Sequence, residues 1–494
     1  MRLHTLLREA GLSVPAHVRD LEITGISSDS RTTRPGDLFV ALRGLHYDGC
    51  RFVGEALARG AVFILSECVL VGENTMTVSD ARVALSCLWD AWYGHPAKDM
   101  KLIGITGTNG KTSSAAMLFA ILRHAGYSTG LIGTVECRCD DNVLCTENPE
   151  RLANMTTPDP AELYKLLDEM RGYGASYIVM EATSHALCLG KLAPLFFERA
   201  VFTNLSPDHL DLHGDMESYF AEKKKLFSQC KEAVISCFTS YGVRLCEGLE
   251  CPVRVLSDRS VHTEVHDMNG VRFSLLQDST WLPLTINVPG RFTVENGALA
   301  ALTALSLGVP SAQVQEALRQ FRGVRGRMER MGENPYGVTV ILDYAHTPDA
   351  LEKLLLAVRE IAESTQRIIL LFGCGGDRDR SKRKEMGRIA SDLADFVILT
   401  SDNCRGEEPE EILRDILRGI DKEKPYRTVT DRGEAIRYAV RAARRGDIVI
   451  LAGKGHEEYE IRGRERLPFS ERQIVADAFA QRITEGRRED STIE

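Results

Sequence analysis

The sequence predicts an α/β protein made of three domains, and three observations support that prediction. Its 494 residues are enough for about three cores of ordinary size. Short apolar runs alternate with helical patterns, which is typical of mostly parallel sheets. One apolar run leads into a glycine-rich turn and then into a helical pattern. We expect domains at 1–97, 98–329 and 330–494, with the first boundary just after His95-Pro96.

Each predicted domain has its own series of elements. The first is a small α/β unit with strands over 38–42 and 61–65 and a helix over 52–59. The second has strands over 177–181 and 199–203, and helices over 216–227 and 294–307. The third restarts the pattern and predicts a doubly wound, Rossmann-like domain, with strands over 338–344, 367–372, 396–400 and 447–452 and helices over 349–362, 383–394, 409–420 and 433–444.

Composition excludes several classes of protein. The net charge of −9 argues against a general nucleic-acid binder, although the basic segment 378–384 would suit a local pocket for anionic substrates. No stretch reaches the roughly 18–20 uninterrupted apolar residues of a membrane span, and the N-terminus lacks the apolar core of a signal peptide. We therefore expect a cytoplasmic protein with no membrane insertion and no nucleic acid partner. Its thirteen cysteines would be reduced thiols.

The segment Gly107-Thr108-Asn109-Gly110-Lys111-Thr112 follows an apolar run and precedes a helical pattern over 113–125. Glycines let backbone N–H groups close on an anion, and the helix N-terminus adds a positive dipole end. Lys111 would reach the β- and γ-phosphates, and Thr112 would hold Mg²⁺. Ile105 stands where the longer G-x-x-x-x-G-K-T pattern has its first glycine. The segment predicts ATP binding; the alternative is an ordinary strand–turn–helix connection.

Other polar groups follow predicted strands. Glu181 ends one strand and suits a Mg²⁺ site, but it would also suit a solvated strand end. The segment 203–213 holds two Asp, two His and one Asn, which could bind a metal or nucleotide or simply cap helices. Three successive lysines, 223–225, by themselves predict a solvated helix face.

Six motifs occur in a fixed order along the chain. They are Gly107–Thr112, Phe202–Leu205 with Asp208–Asp211, Gly326–Glu329, Asp343–His346, Gly373–Asp379 and Gly453–Glu457. Together they resemble the Mur ligases of cell-wall synthesis, and the resemblance extends over 28–469. It implies a UDP-substrate-binding first domain, a central P-loop ATPase domain and a C-terminal amino-acid-binding domain. We expect a monomer acting on small-molecule substrates.

The resemblance also implies a reaction. ATP would convert the carboxylate of UDP-MurNAc-L-Ala-D-Glu into an acyl phosphate, which the amine of meso-2,6-diaminopimelate would attack, with Mg²⁺ as cofactor. The implied catalytic residues are Lys111, Glu181, His209 and Lys223. The implied Mg²⁺ ligands are Thr112, Glu181, His209 and a carbamylated Lys223. A carbamate replaces a cation with an anion, which is why it could bind Mg²⁺.

The remaining implied contacts fall into three groups. ATP would contact Gly107, Thr108, Asn109, Gly110, Lys111, Thr112, Ser113, Asn296, Arg327 and Asp343. The UDP-linked substrate would contact Ser28, Ser30, Thr156, Thr157, Thr183 and Lys191. The amino acid would contact Arg378, Asp402, Asn403, Cys404, Arg405, Gly453 and Glu457.

The choice of amino acid depends on the segment 402–405. In the family an Arg at the position of Arg405 pairs with the second carboxylate of diaminopimelate, a group that lysine and ornithine lack. Cys404 replaces the family's usual Pro, so lysine and ornithine remain alternatives. A ligase like folylpolyglutamate synthase would not be expected to carry Asp29-Ser30-Arg31 or the Asp-Asn-x-Arg pocket. A GTPase or small-molecule kinase would not account for Gly453–Glu457, and a non-catalytic binding protein would release no phosphate.

Overall fold

The computed structural model describes residues 1–44, 48–144, 155–208, 210–332 and 334–490, without the side chains of residues 211 and 483–490. It consists of two compact units. The first comprises Met1–Gly107, Leu122–Thr203 and Glu217–Val255. The second comprises Thr108–Ile121, Asn204–Met216 and Leu256–Glu494. No helix in these described ranges is long and apolar enough to cross a membrane.

The N-terminal part of the first unit is a four-stranded parallel sheet with helices on both faces. The strands lie in chain order: β1 (Gly25–Ser27), β2 (Asp37–Ala41), β3 (Phe63–Ser66) and β4 (Thr75–Thr77). Alternate residues of β2 point to opposite faces. Leu38 and Val40 pack with α1 (Leu3–Glu9) and α3 (Ala81–Trp92), whereas Phe39 and Ala41 pack with α2 (Val53–Ala58). The predicted α/β unit is therefore confirmed.

The first unit also contains an eight-stranded sheet. Its order is β12-β11-β10-β5-β9-β6-β7-β8. The strands are β5 (Lys101–Thr106), β6 (Thr129–Ile132), β7 (Cys137–Cys139), β8 (Asn142–Val143), β9 (Tyr177–Glu181), β10 (Arg199–Phe202), β11 (Ala233–Ser236) and β12 (Val253–Leu256). Neighbouring strands from β11 through β10, β5 and β9 to β6 are parallel, while β7 and β8 pair antiparallel. Because β5 lies between β10 and β9, their carboxyl ends meet at one edge.

Six α-helices lie between these strands in the described residues, and the sequence pattern predicted two of them, over 113–125 and 216–227. The six are α4 (Lys111–His124), α5 (Pro160–Gly172), α6 (Ser184–Cys188), α7 (Leu210–His213), α8 (Met216–Lys224) and α9 (Ser240–Glu247). The predicted helix over 216–227 divides into α8 and a 3₁₀ helix, Lys225–Gln229. The helix after the glycine-rich turn begins two residues earlier than the predicted 113–125, at Lys111.

The second unit contains an antiparallel sheet that the sequence pattern did not predict. Its order is β13 (Val261–Asp267), β14 (Gly270–Gln277) and β15 (Thr280–Ile286). Two helices follow, α10 (Phe292–Ser306) and α11 (Ser311–Gln320). Phe273 and Ile286 are buried, and both lie against Gly297 of α10.

The C-terminal part of the second unit is the predicted Rossmann-like domain. Its sheet has the order β16-β17-β21-β18-β19-β20, with β16 antiparallel to β17 and the other pairs parallel. The strands are β16 (Glu329–Arg330), β17 (Thr339–Asp343), β18 (Ile368–Phe372), β19 (Phe396–Leu399), β20 (Tyr426–Thr428) and β21 (Ile448–Ala452). The helices are α12 (Pro348–Ile361), α13 (Ser381–Leu393), α14 (Pro409–Leu417), α15 (Arg432–Ala442) and α16 (Glu471–Asp490), and a hairpin is formed by β22 (Tyr459–Arg462) and β23 (Glu465–Pro468).

Local sequence explains why these helices begin where they do. Thr347 caps α12 by accepting a hydrogen bond from the amide of Ala350, and Pro348 occupies the first turn, where its missing N–H costs nothing. Asp431 caps α15 in the same way through the amide of Glu434. The carboxyl ends of β17, β18, β19 and β21 meet at one edge of the sheet, which is where ligands bind in such folds.

Candidate active site

The glycine-rich loop after β5 is held in place by Asn204, which follows β10. The amide of Thr108 donates to the carbonyl of Asn204 at 2.9 Å. The amide of Asn109 donates to Asn204 Oδ1 at 3.0 Å, and Asn204 Nδ2 donates back to the carbonyl of Asn109 at 3.2 Å. Asn204 therefore fixes the first half of the loop, a role that its position at a strand end did not by itself indicate.

Glycine is required at two positions of this loop. Gly107 has φ +146° and Gly110 has φ +83°, conformations that residues with a Cβ rarely adopt. A Cβ on Gly110 would also collide with Oδ1 of Asn296 on α10. The chain can therefore turn tightly here and bring its backbone close to a ligand.

Helix α4 begins directly after this turn, and its first residues carry the predicted phosphate contacts. The carbonyl of Gly110 accepts the amide of Ser114 at 2.9 Å, so the positive end of the helix lies at the loop. Lys111 Nζ donates to the carbonyl of Thr108 at 2.9 Å. Thr112 and Ser113 occupy the first turn. The arrangement has the geometry expected of a phosphate-binding loop, with its lysine folded over it.

Two of the three ATP contacts predicted outside the loop lie beside it. Ser114 Oγ donates to Asn296 Oδ1 at 3.4 Å, and Arg327 Nη2 donates to Thr112 Oγ1 at 3.4 Å. The Arg327 guanidinium also stacks over the ring of Tyr344, 4.5 Å from its centroid. The third residue, Asp343, accepts hydrogen bonds from two backbone amides.

The two carboxylate oxygens of Asp343 accept the amides of Met328 and Ala345, each at 2.8 Å. Burial raises the pKa of Asp343, against the opposing effects of Arg327 and these hydrogen bonds. Asp343 therefore fixes the turn that carries Arg327.

Asp349 connects the phosphate loop to the Rossmann-like domain. Its Oδ2 accepts Asn109 Nδ2 at 2.6 Å and Ser206 Oγ at 2.8 Å, and it also pairs with Lys353 at 2.9 Å. The sequence alone did not indicate this role, because Asp349 lies 240 residues from Asn109 and looks like an ordinary acidic residue in the first turn of a helix.

In the first unit, Glu181 lies at the carboxyl end of β9 and is fully buried. Its Oε1 accepts the amide of Thr134 at 2.7 Å, and its Oε2 accepts Thr134 Oγ1 at 3.2 Å. A Cβ on Gly133 would lie 2.5 Å from Oε1, so the glycine lets the backbone approach the carboxylate. The interpretation of Glu181 as a solvated strand-end residue is therefore wrong.

Four of the residues assigned to the UDP-linked substrate lie together near Glu181. Thr156 Oγ1 is 2.9 Å from Thr134 Oγ1, and Thr157 Oγ1 donates to the carbonyl of Glu181 at 2.8 Å. Thr183 caps α6, with its Oγ1 3.1 Å from that of Thr157. Lys191 is buried, and its Nζ pairs with Asp159 at 2.9 Å and contacts the carbonyl of Thr157 at 3.4 Å.

The other two residues of that group, Ser28 and Ser30, lie in the turn after β1. Ser28 is exposed, whereas Ser30 is buried and donates to Glu55 Oε2 at 2.9 Å. Ser30 thus connects this turn to α2.

The three successive lysines at the end of α8 and just beyond it are not equivalent. Lys223 is only 2% exposed, whereas Lys224 and Lys225 are exposed. Lys223 Nζ donates to the carbonyl of Gly107 at 2.8 Å and lies 4.5 Å from the ring centroid of Tyr219. The prediction of a solvated face is correct for two lysines and wrong for Lys223. His209, which was predicted beside it, lies outside the described residues.

The residues assigned to the amino acid gather at the carboxyl edge of the C-terminal sheet. Asp402, Asn403 and Cys404 are buried, and Asn403 Nδ2 donates to Glu457 Oε2 at 2.8 Å. Gly453 has φ +114°, and a Cβ there would lie 2.8 Å from Asp402 Oδ2.

Arg405 adopts φ +50°, which is unusual for a residue with a side chain. Its Nη1 donates to the carbonyls of Gly376 and Asn403 at 3.0 and 3.3 Å. Its amide donates to the carbonyl of Ile461 at 3.1 Å, while the thiol of Cys404 contacts the same carbonyl at 3.7 Å. The backbone of Arg405 is thus fixed by the hairpin β22–β23, even though Cys404 replaces a proline.

The glycine turn 373–376 packs directly against this segment. A Cβ on Gly373 would strike the carbonyl of Thr400, and one on Gly376 would strike the carbonyl of Cys404. A Cβ on Gly375 would lie 2.9 Å from Arg405 Nη1 and 3.8 Å from Cγ of the exposed Arg378. Because these glycines have no side chain, the turn can pack closely against the segment 402–405. Arg378 and Arg405 therefore both lie beside Gly375.

The basic segment 378–384 is only partly a surface for anions. Arg383 is fully buried, and its guanidinium pairs with Glu407 at 2.9 Å and with Asp415 at 3.0 Å. Because a buried arginine paired in this way holds helices together, the expectation that the whole segment forms an anion pocket is wrong for Arg383.

The fold and the loop define a class of protein: a P-loop α/β protein with a C-terminal Rossmann-like domain. Family models match three successive segments. They are described as "Mur ligase family, catalytic domain" over 22–85, "Mur ligase middle domain" over 105–305 and "Mur ligase, glutamate ligase domain" over 326–455. The chain belongs to the Mur ligase family.

Similar proteins extend along nearly the whole chain. A UDP-N-acetylmuramoyl-L-alanyl-D-glutamate--2,6-diaminopimelate ligase from Syntrophomonas wolfei is 38% identical over 498 residues, covering 98% of this chain and 100% of that protein. The protein of that name from Caldanaerobacter subterraneus is 40% identical, covering 97% and 99%. A solved structure with the same name superimposes with a TM-score of 0.68 at 30% identity, covering 98% of this chain and 99% of that one.

Proposed function

We propose that this chain is an ATP-dependent ligase that adds meso-2,6-diaminopimelate to UDP-MurNAc-L-Ala-D-Glu, a step in making peptidoglycan precursors. The observation that carries the proposal is the 38–40% identity, over nearly the full length, to ligases named for this reaction. The presence of Arg405 in the amino-acid pocket favours diaminopimelate over lysine or ornithine, because its fork matches a second carboxylate.

The chemistry has two steps. A peptide carboxylate is a poor acyl donor, so its oxygen first attacks the γ-phosphorus of ATP, giving an acyl phosphate and ADP. The neutral amine of the amino acid then attacks the acyl carbon, and the tetrahedral intermediate collapses to an amide and inorganic phosphate. Phosphoryl transfer of this kind needs mainly positioning and neutralisation of charge.

The phosphate loop supplies both requirements in the proposal. The backbone of 107–112 and the start of α4 would cradle the β- and γ-phosphates. The ammonium of Lys111, which rests on the carbonyl of Thr108, would turn to the transferring phosphate. Asn296 and Arg327 would complete the nucleotide site beside the loop, since they contact Ser114 and Thr112.

The donor chemistry of Thr112 and Glu181 fits Mg²⁺, which prefers oxygen ligands. Thr112 carries a hydroxyl, and Glu181 is a buried carboxylate that accepts hydrogen bonds from Thr134. When bound, Mg²⁺ would neutralise charge that develops on the phosphates. His209 and a carbamylated Lys223 belong to the proposed ligand set by resemblance, and the burial of Lys223 supports a role other than solvation.

The substrates would occupy two further groups of residues. In the first unit, Thr156, Thr157, Thr183 and Lys191 would hold the sugar and peptide, with Ser28 and Ser30 at the UDP end. In the second unit, the amino acid would meet Arg378, Asp402, Asn403, Cys404, Arg405, Gly453 and Glu457.

In the proposal, the domain at 1–97 binds the UDP end of the substrate, the domain at 98–329 binds ATP, and the domain at 330–494 binds the amino acid. The matched segments 22–85, 105–305 and 326–455 support that division without fixing its boundaries. Because the reaction consumes ATP, we expect it in the cytoplasm. We also expect a monomer.

An amine screen tests the proposal. UDP-MurNAc-L-Ala-D-Glu and ATP are supplied with meso-diaminopimelate, lysine or ornithine in separate reactions, and phosphate release is measured together with the mass of the product. We expect release that depends on the UDP-linked dipeptide and that is fastest with diaminopimelate. Faster release with lysine or ornithine would reassign the amino acid, and no amine-dependent release would refute the ligase proposal.

A further inference from the structure

A buried lysine, Lys454, lies at the centre of the proposed amino-acid pocket, and nothing in the sequence analysis gave it a role. Its side chain is 0% exposed. Its Nζ donates to the carbonyl of Tyr459 at 2.8 Å and to Asn403 Oδ1 at 3.1 Å. It also lies 3.4 Å from Asp402 Oδ1 and 3.9 Å from Glu457 Oε2. An ammonium away from water requires such partners, so its position is tightly determined.

Lys454 determines which way the amide of Asn403 points. Oδ1 of Asn403 accepts from Lys454 Nζ and from the amide of Ile461 at 3.0 Å. With two donors on the oxygen, Nδ2 is directed to Glu457 Oε2 at 2.8 Å. Without Lys454, the amide would lose one of the two contacts that distinguish its oxygen from its nitrogen.

Lys454 also allows two carboxylates to share the pocket. Burial opposes ionisation of Asp402, but Lys454 and Arg432 lower its pKa to about 2. Burial and the charge of Asp402 raise the pKa of Glu457, and Lys454 acts against both effects. The ammonium acts on both carboxylates and therefore offsets part of the repulsion between Asp402 and Glu457.

A third contact extends to the hairpin β22–β23. The carbonyl of Tyr459, at the start of β22, accepts from Lys454. Two residues further along, the carbonyl of Ile461 accepts the amide of Arg405, and the amide of Gly463 donates to the carbonyl of Arg405 at 2.7 Å. Lys454 thus holds the strand against which the strained backbone of Arg405 is fixed.

We propose that Lys454 is the positioning residue of the amino-acid pocket, which orients Asn403, Glu457 and Arg405 toward a diamino acid without contacting it. The inference rests on the proposed function and goes beyond it, because it assigns the order of the pocket to one buried charge. A ligand with an ammonium group and a second carboxylate would depend on Lys454, whereas ATP would not.

The test replaces the ammonium with an isosteric apolar side chain, Lys454→Met, and measures steady-state kinetics with each substrate varied in turn. We expect the KM for diaminopimelate to rise about tenfold or more, the loss that a buried charge-assisted hydrogen bond predicts. The KM for ATP should stay unchanged. A merely structural loss would lower kcat through a smaller active fraction and leave both KM values alone.

A second comparison covers the case in which Lys454→Met does not fold because Asp402 is left as an unpaired buried charge. Asp402→Asn is combined with Lys454→Met, and the double variant is compared with Asp402→Asn alone. We expect a higher KM for diaminopimelate in the double variant. Lys424→Met is the control, since Lys424 Nζ donates to the carbonyl of Ser391 at 2.8 Å and lies outside the pocket.

The outcomes separate the two proposals. If the unsubstituted chain shows no diaminopimelate-dependent phosphate release, the proposed function fails and this inference fails with it. If that chain is active, a change of less than about twofold in the KM for diaminopimelate, in Lys454→Met or between the two Asp402→Asn proteins, overturns the inference alone.

Discussion

The phosphate loop and the amino-acid pocket are built in different ways. The loop is one contiguous segment whose lysine, Lys111, rests on the loop's own carbonyl at Thr108. The pocket is assembled from 373–378, 402–405 and 453–463, and its lysine, Lys454, joins the last two of these segments. A contiguous site acts through its own backbone and one cation, whereas an assembled site depends on buried charges that hold separate segments together.

This difference predicts which substrate each substitution will affect. Changes in the loop should impair every reaction of the enzyme, because ATP activates the carboxylate before any amine is chosen. Changes in the pocket should affect only the amino acid.

Lys111→Ala should have the largest effect. Removing the cation that neutralises the transferring phosphate should lower kcat about 10²–10³-fold with any amine. The rate of phosphate release with saturating substrates measures kcat. The exposed Lys98 provides a matched control, and Lys98→Ala should keep full activity. Undiminished turnover by Lys111→Ala would remove the loop from the mechanism.

Lys223→Ala should come next, with a loss of about 10²-fold if the residue acts as a buried carbamate near the phosphate loop. Its exposed neighbour supplies the control, since Lys224→Ala differs by one position and should retain activity. A short carboxylate such as acetate or formate should restore part of the activity of Lys223→Ala. Failure of every carboxylate to restore activity would count against the carbamate.

Arg405→Ala tests the amino-acid pocket. Without its guanidinium group, the pocket lacks the two N–H donors that pair with the second carboxylate. The KM for diaminopimelate should therefore rise about 10–100-fold, and the KM for ATP should stay unchanged. Kinetics with lysine as the amine should change little, because lysine has no second carboxylate. Arg418→Ala, at a side chain that is 72% exposed, is the control. Unchanged kinetics with diaminopimelate would refute the assignment of Arg405.

The smallest predicted effect concerns stability. Lys454 and Arg432 lower the pKa of Asp402 to about 2 despite its burial. A carboxylate whose pKa is depressed in the folded state stabilises above its unfolded pKa and loses that contribution as the pH falls through the folded value. Asp402→Asn should therefore cost about 2 kcal/mol near pH 7, and the cost should shrink between about pH 4 and 2.

Urea unfolding at several pH values measures this effect. Asp258→Asn, at an exposed position, should show no such trend. A cost for Asp402→Asn that is constant down to pH 2 would mean that the charge of Asp402 is not what the buried lysine stabilises.

The same contrast explains what could be predicted from the sequence. The strand Tyr177–Glu181 and the turn after β5 were predicted because their signals are contiguous, a buried apolar run and two glycines at fixed spacing. The roles of Lys454 and Asp349 were not predicted, because their contacts reach across 51 and 240 residues. A lysine in a glycine-rich motif and an aspartate in a first helical turn each look ordinary when taken alone.

Strands at the surface were missed for a different reason. The three residues of β20 are all exposed, and all seven residues of β13 are exposed or half-buried, so neither strand has the alternation of buried and exposed residues that marks a strand. The turn Asp267–Gly270 was the available signal for the hairpin β13–β14, since Asp and Gly at such positions favour hairpins.

The central claim is that ATP activates the substrate by phosphorylating its carboxylate, and an oxygen-isotope experiment tests it most directly. UDP-MurNAc-L-Ala-D-Glu labelled with ¹⁸O in the reacting carboxylate is incubated with the enzyme, ATP and meso-diaminopimelate, and the inorganic phosphate is analysed by mass spectrometry. The account predicts one ¹⁸O atom in each phosphate released, because the oxygen that attacks phosphorus leaves with it. Phosphate that carries no label while the amide forms would contradict the account.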